Sequence, residues 1–269
     1  MKMEQPKNNL KIVADKKNAR MLLPNMLTLI GVCIGLTSIR FALSGEFHLA
    51  IIAIIFAALI DGLDGRIARL IKGTSKVGKE LDSLTDMISF GVAPAFIMYF
   101  WKLNTLGRFG WLLCLIYVIC VALRLARFNI SSNQEPSWKD NFFEGVPSPA
   151  GGILVLTPLI ISLTGFNYIE LNFDIITPIF FIATSFLLIS KFPSYSFKKI
   201  VIQRKATIFL LFSIILFFGL LLIYTFEVIA ISSIIYLAIL PISFFHYQKT
   251  KKIHENEKIQ DDEDLEDEL

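Results

Sequence analysis

The apolar positions of this chain come in long unbroken blocks rather than in alternating or narrow-striped patterns, and polar punctuation cuts them into eight segments. Blocks of this length suit spanning helices, because about 20 apolar residues in a helix cover the hydrocarbon core of a bilayer. The pattern predicts helices over residues 23–43, 47–70, 79–101, 110–128, a fifth that follows GVPSPAGG and ends near 163, then 173–189, 206–224 and 228–245. Pro24 opens the first of these in a first helical turn, where proline is tolerated. The expected fold is all-α, a polytopic membrane bundle of about eight transmembrane helices. Residues 1–22 form a basic segment, 23–200 a six-helix core, 201–248 two additional helices, and 249–269 a charged tail whose like charges keep it disordered.

One interruption differs from the rest. Residues 61–86, DGLDGRIARLIKGTSKVGKELDSLTD, place Asp61 and Asp64 at the end of one apolar block and Asp82 and Asp86 at the start of the next. At about 100° per residue, the first two carboxylates lie roughly 60° apart around their helix and the second two about 40° apart, so each pair points one way. Gly65 and Ala68 fall on the Asp61 face, where small side chains leave room for a ligand. Four carboxylates brought together repel strongly unless a cation stands between them. An all-oxygen ligand set without His or Cys favours Mg²⁺ or Mn²⁺ over Zn²⁺, and Mg²⁺ commonly shares its shell with substrate phosphates. The competing interpretation is a solvated loop in which these aspartates pair with Arg66, Arg69, Lys72, Lys76 and Lys79. Against it, ionisable residues at membrane helix ends that face a bundle are functional by default.

Composition adds the membrane but little chemistry. In 269 residues, 54% are hydrophobic and 24 are phenylalanine, and the mean hydropathy is +0.62. These values indicate an integral membrane protein. The net charge of +3 hides an asymmetry, with basic clusters in particular loops and acidic residues in the last ten, and it does not imply nucleic acid. Cys33, Cys114 and Cys120 lie in apolar blocks without CxxC spacing and read as packing residues. No apolar h-region precedes Met21, so the first span is expected to act as the insertion signal.

The residues of 61–86 resemble the signature of the CDP-alcohol phosphatidyltransferase family, D-x-x-D-G-x-x-A-R, eight residues, then G-x-x-x-D-x-x-x-D. It is matched at Asp61, Asp64, Gly65, Ala68, Arg69, Gly78, Asp82 and Asp86 without departure. The resemblance implies a two-metal site that binds a CDP-activated lipid and transfers its phosphatidyl group to an alcohol. It also implies Asp86 as the base, Ser75 as a contact of the CDP moiety alongside Gly65, Ala68 and Arg69, and a homodimer. Asn25, at the depth of the aspartates, is either a substrate contact or a helix-end polar residue satisfied by water.

Acceptor choice is the finer question. DGLDGRIARL, TSKVGKELDSLTDMISFGVAPA, ALRLARFN, FEGVPSPAGG and SKFPSYSFKKI resemble the membrane-integral phosphatidylserine synthases, which use CDP-diacylglycerol and L-serine. Alternatives are another alcohol acceptor, such as glycerol 3-phosphate or inositol phosphate, or a lipid-binding or transport protein without chemistry. Arg124 and Arg127 share a face in ALRLARFN. They are either snorkelling anchors or a guanidinium fork for an anionic group. Arg127, nearer the aqueous boundary, is the favoured acceptor contact. Basic residues crowd the N-terminus, the links after the second, fourth and sixth blocks, and the segment after the eighth. Both termini and the aspartates are therefore expected in the cytoplasm, at a prokaryotic plasma membrane.

Overall fold

The computed structural model describes residues 16–71, 73, 75–131, 142–164, 172–190, 192–195 and 204–267. The basic segment before residue 16, Lys72, Thr74, the link after Ser131, residues 165–171, most of the basic loop after Ile189 and the last two residues lie outside the described residues.

The described elements are helices α1 (Lys16–Leu43), α2 (Phe47–Leu70), α3 (Lys76–Asp86), α4 (Ala93–Trp101), α5 (Arg108–Ser131), α6 (Ser148–Leu163), α7 (Phe173–Ile189), α8 (Arg204–Ile223) and α9 (Thr225–Asp267). A π-helical segment, Met87–Val92, joins α3 to α4, and a short 3₁₀ turn precedes α5. Five of the described helices are long and apolar enough to cross a membrane, and three shorter apolar helices, Ser148–Leu163, Phe173–Ile189 and Thr207–Ile223, accompany them. This is an all-α membrane bundle, and its apolar helices fall where the blocks of sequence predict them.

The bundle core gathers Ile51 and Ile54 from α2, Phe90 from the π segment, Tyr117 from α5, Leu154 and Leu156 from α6, and Phe181 from α7. By contrast, Phe209, Leu211, Phe212, Ile215 and Leu222 of α8 are exposed, the pattern of a lipid-facing helix.

Four features depart from the sequence expectation. α1 begins at Lys16, so Pro24 sits inside the helix rather than in its first turn; the good helix formers around it offset the one backbone bond that proline removes. The third apolar block is not one regular helix. The π segment inserts directly after Asp86 and places one extra residue in the turn. The links on either side of α6 and α7 contribute a two-stranded antiparallel ribbon, β1 (Phe142–Glu144) with β2 (Pro193–Tyr195), where only loops were expected. Finally, the backbone of α9 is helical to Asp267. The tail expected to be disordered contains no Gly or Pro after Pro241 to interrupt the helix and carries Lys and Glu, both good helix formers.

Candidate active site and metal centre

The aspartates are brought together by two helix ends leaning on α1. Gly31 and Gly35 of α1 allow the close approach: a Cβ at Gly35 would fall 2.6 Å from the Ser89 hydroxyl and 3.1 Å from its Cα, and one at Gly31 would fall 3.3 Å from Thr85 Cγ2. The π segment and α3 therefore pack almost backbone to backbone on α1. The Ser89 hydroxyl donates to the Gly31 carbonyl across this seam. At the far side, Tyr117 of α5 donates its hydroxyl to the Phe90 carbonyl at 2.8 Å, meeting a backbone acceptor inside the π segment.

Asp61, Asp64 and Asp82 each offer a carboxylate oxygen within 4.8 Å of the others. Thr28 of α1 donates to Asp64 Oδ2 at 2.7 Å and fixes its rotamer. Asp86, one turn beyond Asp82, lies outside this triad, within hydrogen-bonding reach of Asp61. Its Oδ1 is buried without a hydrogen-bond partner among the described residues. A cluster of oxygens at this spacing, with no nitrogen or sulfur donor and one buried carboxylate oxygen left over, fits a divalent cation that prefers oxygen. The solvated-loop interpretation predicts ion pairs instead. Among the described residues neither Arg66 nor Arg69 pairs with an aspartate; Lys72 and the Lys76 side chain lie outside the described residues.

A cavity of about 570 Å³ opens beside the triad, lined by Asn25, Thr28, Asp64, Gly65, Ala68, Arg69, Gly73, Ser75, Gly78, Lys79 and Asp82 among others. Every residue assigned to the CDP moiety from sequence lines this one space. Ser75 caps α3, its Oγ accepting from the Gly78 amide at 2.9 Å, which leaves the hydroxyl proton free of that bond. Gly78 is required by proximity, since a Cβ there would sit 3.0 Å from Asn25 Oδ1. Gly65 is the opposite case: a Cβ would meet nothing within 4 Å and would point into open space. Arg69 donates its Nε to the Gly65 carbonyl at 3.0 Å, which aligns the guanidinium along the cavity rim.

The two arginines of α5 separate. Arg124 turns inward: Asp86 and Asp61 are its charged neighbours, and one guanidinium nitrogen donates to the buried Ser148 hydroxyl at the start of α6. Arg127 turns away, is exposed, and donates to the Ile189 carbonyl at 2.6 Å, closing the C-terminal end of α7. Arg124, and not the favoured Arg127, is thus the arginine beside the aspartates. Three residues apart on a helix still means about 60° of rotation, enough to send one side chain to the site and the other to a neighbouring helix end. α5 is itself tied to the motif helix by Asn129, whose Nδ2 donates to the Ser83 hydroxyl at 2.9 Å.

Thr28, Ser148 and the close-packed Gly31–Gly35 pair were not singled out from sequence. The pair had a visible signal, a G-x-x-x-G in an apolar block, the spacing that lets membrane helices approach closely. Thr28 and Ser148 had none, because a lone hydroxyl in an apolar helix most often bonds its own backbone.

The family model for CDP-alcohol phosphatidyltransferase matches residues 21–189. Among similar proteins, CDP-diacylglycerol--serine O-phosphatidyltransferase of Mycobacterium leprae is 46% identical over 144 residues, 53% of this chain and 48% of that protein. The proteins of the same name from Helicobacter pylori and Bacillus subtilis are 37% and 35% identical, over 75% and 66% of this chain and 83% and 92% of their own lengths. The chain thus spans about half the length of the mycobacterial relatives and most of the other two. With the signature unbroken, Asp61, Asp64 and Asp82 clustered and the match running from α1 through α7, this chain belongs to the CDP-alcohol phosphatidyltransferase family.

Proposed function

We propose that this protein transfers the phosphatidyl group of CDP-diacylglycerol to the hydroxyl of L-serine, giving phosphatidylserine and CMP. The observation that carries the reading is the convergence of Asp61, Asp64 and Asp82 beside a cavity that also holds Asn25, Gly65, Arg69 and Ser75. The relatives named for serine transfer support the acceptor.

Asn25, Gly65, Ala68, Arg69 and Ser75 form the CDP subsite. The Ser75 hydroxyl and the Arg69 guanidinium supply donors to the diphosphate, and the missing side chain of Gly65 supplies the space. Asp61, Asp64, Asp82 and Asp86 would hold Mg²⁺ or Mn²⁺, two ions by the family resemblance, and the bound metal would supply positive charge against the diphosphate and the departing CMP. Asp86 takes the proton from the serine hydroxyl as its oxygen bonds to phosphorus, while the phosphorus–oxygen bond to CMP breaks. Arg124, beside Asp86, takes the serine carboxylate through its guanidinium fork, since an unpaired carboxylate at a partly dehydrated site is costly.

The distribution of basic residues supports cytoplasmic termini and a cytoplasmic site, where CTP-derived nucleotides are available. On this reading all eight apolar helices cross the membrane. The shorter ones, of 16 and 17 residues, extend about 24–26 Å, close to the hydrocarbon core of about 30 Å.

The direct test is a headgroup assay of the purified protein with CDP-diacylglycerol and Mg²⁺ or Mn²⁺, offering serine, inositol, inositol phosphate and glycerol 3-phosphate in parallel. Serine is the acceptor expected to be consumed; faster turnover of any other would replace it. Gly65→Val is expected to raise the KM for CDP-diacylglycerol by about tenfold or more, since the added methyl groups enter the cavity rather than the protein core. A normal KM would remove Gly65 from the nucleotide site. Arg69→Ala is expected to weaken the same substrate, measured in the same way.

A further inference from the structure

The family match ends at residue 189, yet a residue of α9 reaches the site. The Tyr236 hydroxyl is buried, with Arg124 and Ser194 as its polar neighbours. Arg124 in turn neighbours Asp86 and Asp61. Arg124 Nε has no hydrogen-bond partner among the described residues, and the Tyr236 hydroxyl has beside it only the Ser194 hydroxyl, which already donates to the Gly145 carbonyl. Buried polar atoms are ordinarily paired. An arginine Nε can only donate and a phenol donates readily, so Arg124 Nε and the Tyr236 hydroxyl are together able to receive an acceptor brought by a substrate. Oxygens of a carboxylate match that requirement.

The position of α9 is determined by packing rather than by the tether of α8. α9 contacts α6 and β2. Phe192 stacks on Phe244 with ring centroids 4.9 Å apart, and the Ser194 hydroxyl donates to the Gly145 carbonyl at 2.8 Å, holding the ribbon under the helix. The same ribbon leads from Gly145 into α6, whose Ser148 receives Arg124. Ribbon, α6 and α9 thus pack together beside Arg124, and none of their residues lines the cavity of the CDP subsite.

We propose that Tyr236 completes the acceptor subsite, its hydroxyl and Arg124 together binding the carboxylate of an amino-acid acceptor. The two helices beyond the family core then serve acceptor selection. This rests on serine being the acceptor, as proposed above.

The test uses the full chain in detergent with CDP-diacylglycerol and Mn²⁺, comparing wild type with Tyr236→Phe. L-Serine is compared with serinol, which keeps the hydroxyl and the ammonium but lacks the carboxylate; serinol serves as substrate or as a competitive inhibitor. Losing one hydrogen bond to a charged group is expected to raise the serine KM by about tenfold. The kcat, the KM for CDP-diacylglycerol and the constant for serinol should stay unchanged, so the preference for serine over serinol narrows by the same factor. The thermal midpoint without serine should change little, because Ser194 keeps its bond to the Gly145 carbonyl when the phenol is removed. An unaltered serine KM, or equal losses for serine and serinol, would overturn the inference while leaving serine transfer intact. A wild-type protein that does not use serine would remove the proposed function and this inference with it.

Discussion

Replacing Asp61 or Asp82 by alanine is expected to lower phosphatidyl transfer by more than about a thousandfold at saturating metal, a rise of about 4 kcal/mol in the barrier. Both residues belong to the triad whose oxygens lie within 4.8 Å of one another. Removing one leaves too few oxygens on that side to hold a divalent ion against water, and the diphosphate then loses its counter-charge as CMP departs. The substituted helices should still fold, because relieving like-charge repulsion does not weaken a helix end. A second measurement separates metal binding from chemistry: Mn²⁺ should raise the thermal midpoint of the wild type and leave that of either variant unmoved, since a ligand stabilises only the state that binds it. Activity within about threefold of wild type, under about 1 kcal/mol, would make the carboxylates structural.

Arg124→Lys is expected to raise the serine KM by about tenfold or more with little change in the KM for CDP-diacylglycerol. The ammonium of lysine keeps the charge but not the planar fork, so it cannot both donate to Ser148 and meet a carboxylate in the same geometry. The paired variant Arg127→Lys should leave the serine KM unchanged, because Arg127 is exposed and bonds the Ile189 carbonyl at the end of α7. The two substitutions are chemically identical and one turn apart, so the contrast between them tests direction rather than charge. Equal losses for both substrates in Arg124→Lys would point to a phosphate contact or a folding defect. A serine KM that changes in Arg127→Lys alone would restore the opposite assignment.

The motif stretch was legible because its information is local. The spacing of Asp61 to Asp64 and of Asp82 to Asp86 fixes which way each pair points on its own helix, and membrane helices leave little freedom in where apolar blocks begin and end. The all-α architecture, the positions of the apolar helices and the residues lining the CDP cavity follow from those two facts together with the resemblance. Ser75, Gly65 and Asn25, separated by up to fifty residues, line one cavity, because helix ends on the same side of a bundle are neighbours by geometry.

Rotation, register and the packing of the added helices were decided only in three dimensions. A run of apolar residues does not say which face turns inward when both lipid and core are apolar, so the choice between Arg124 and Arg127 could not be read from their sequence. It depends on Ser148 and Ile189, 24 and 62 residues away. The π segment after Asp86 is invisible to a period of 3.6, since one extra residue in a turn changes no composition. Tyr236 on α9, 150 residues from Asp86, comes beside Arg124 because α9 packs on α6 and on the ribbon formed by Phe142–Glu144 and Pro193–Tyr195, and pairing between strands so distant in sequence leaves no periodic signal in either.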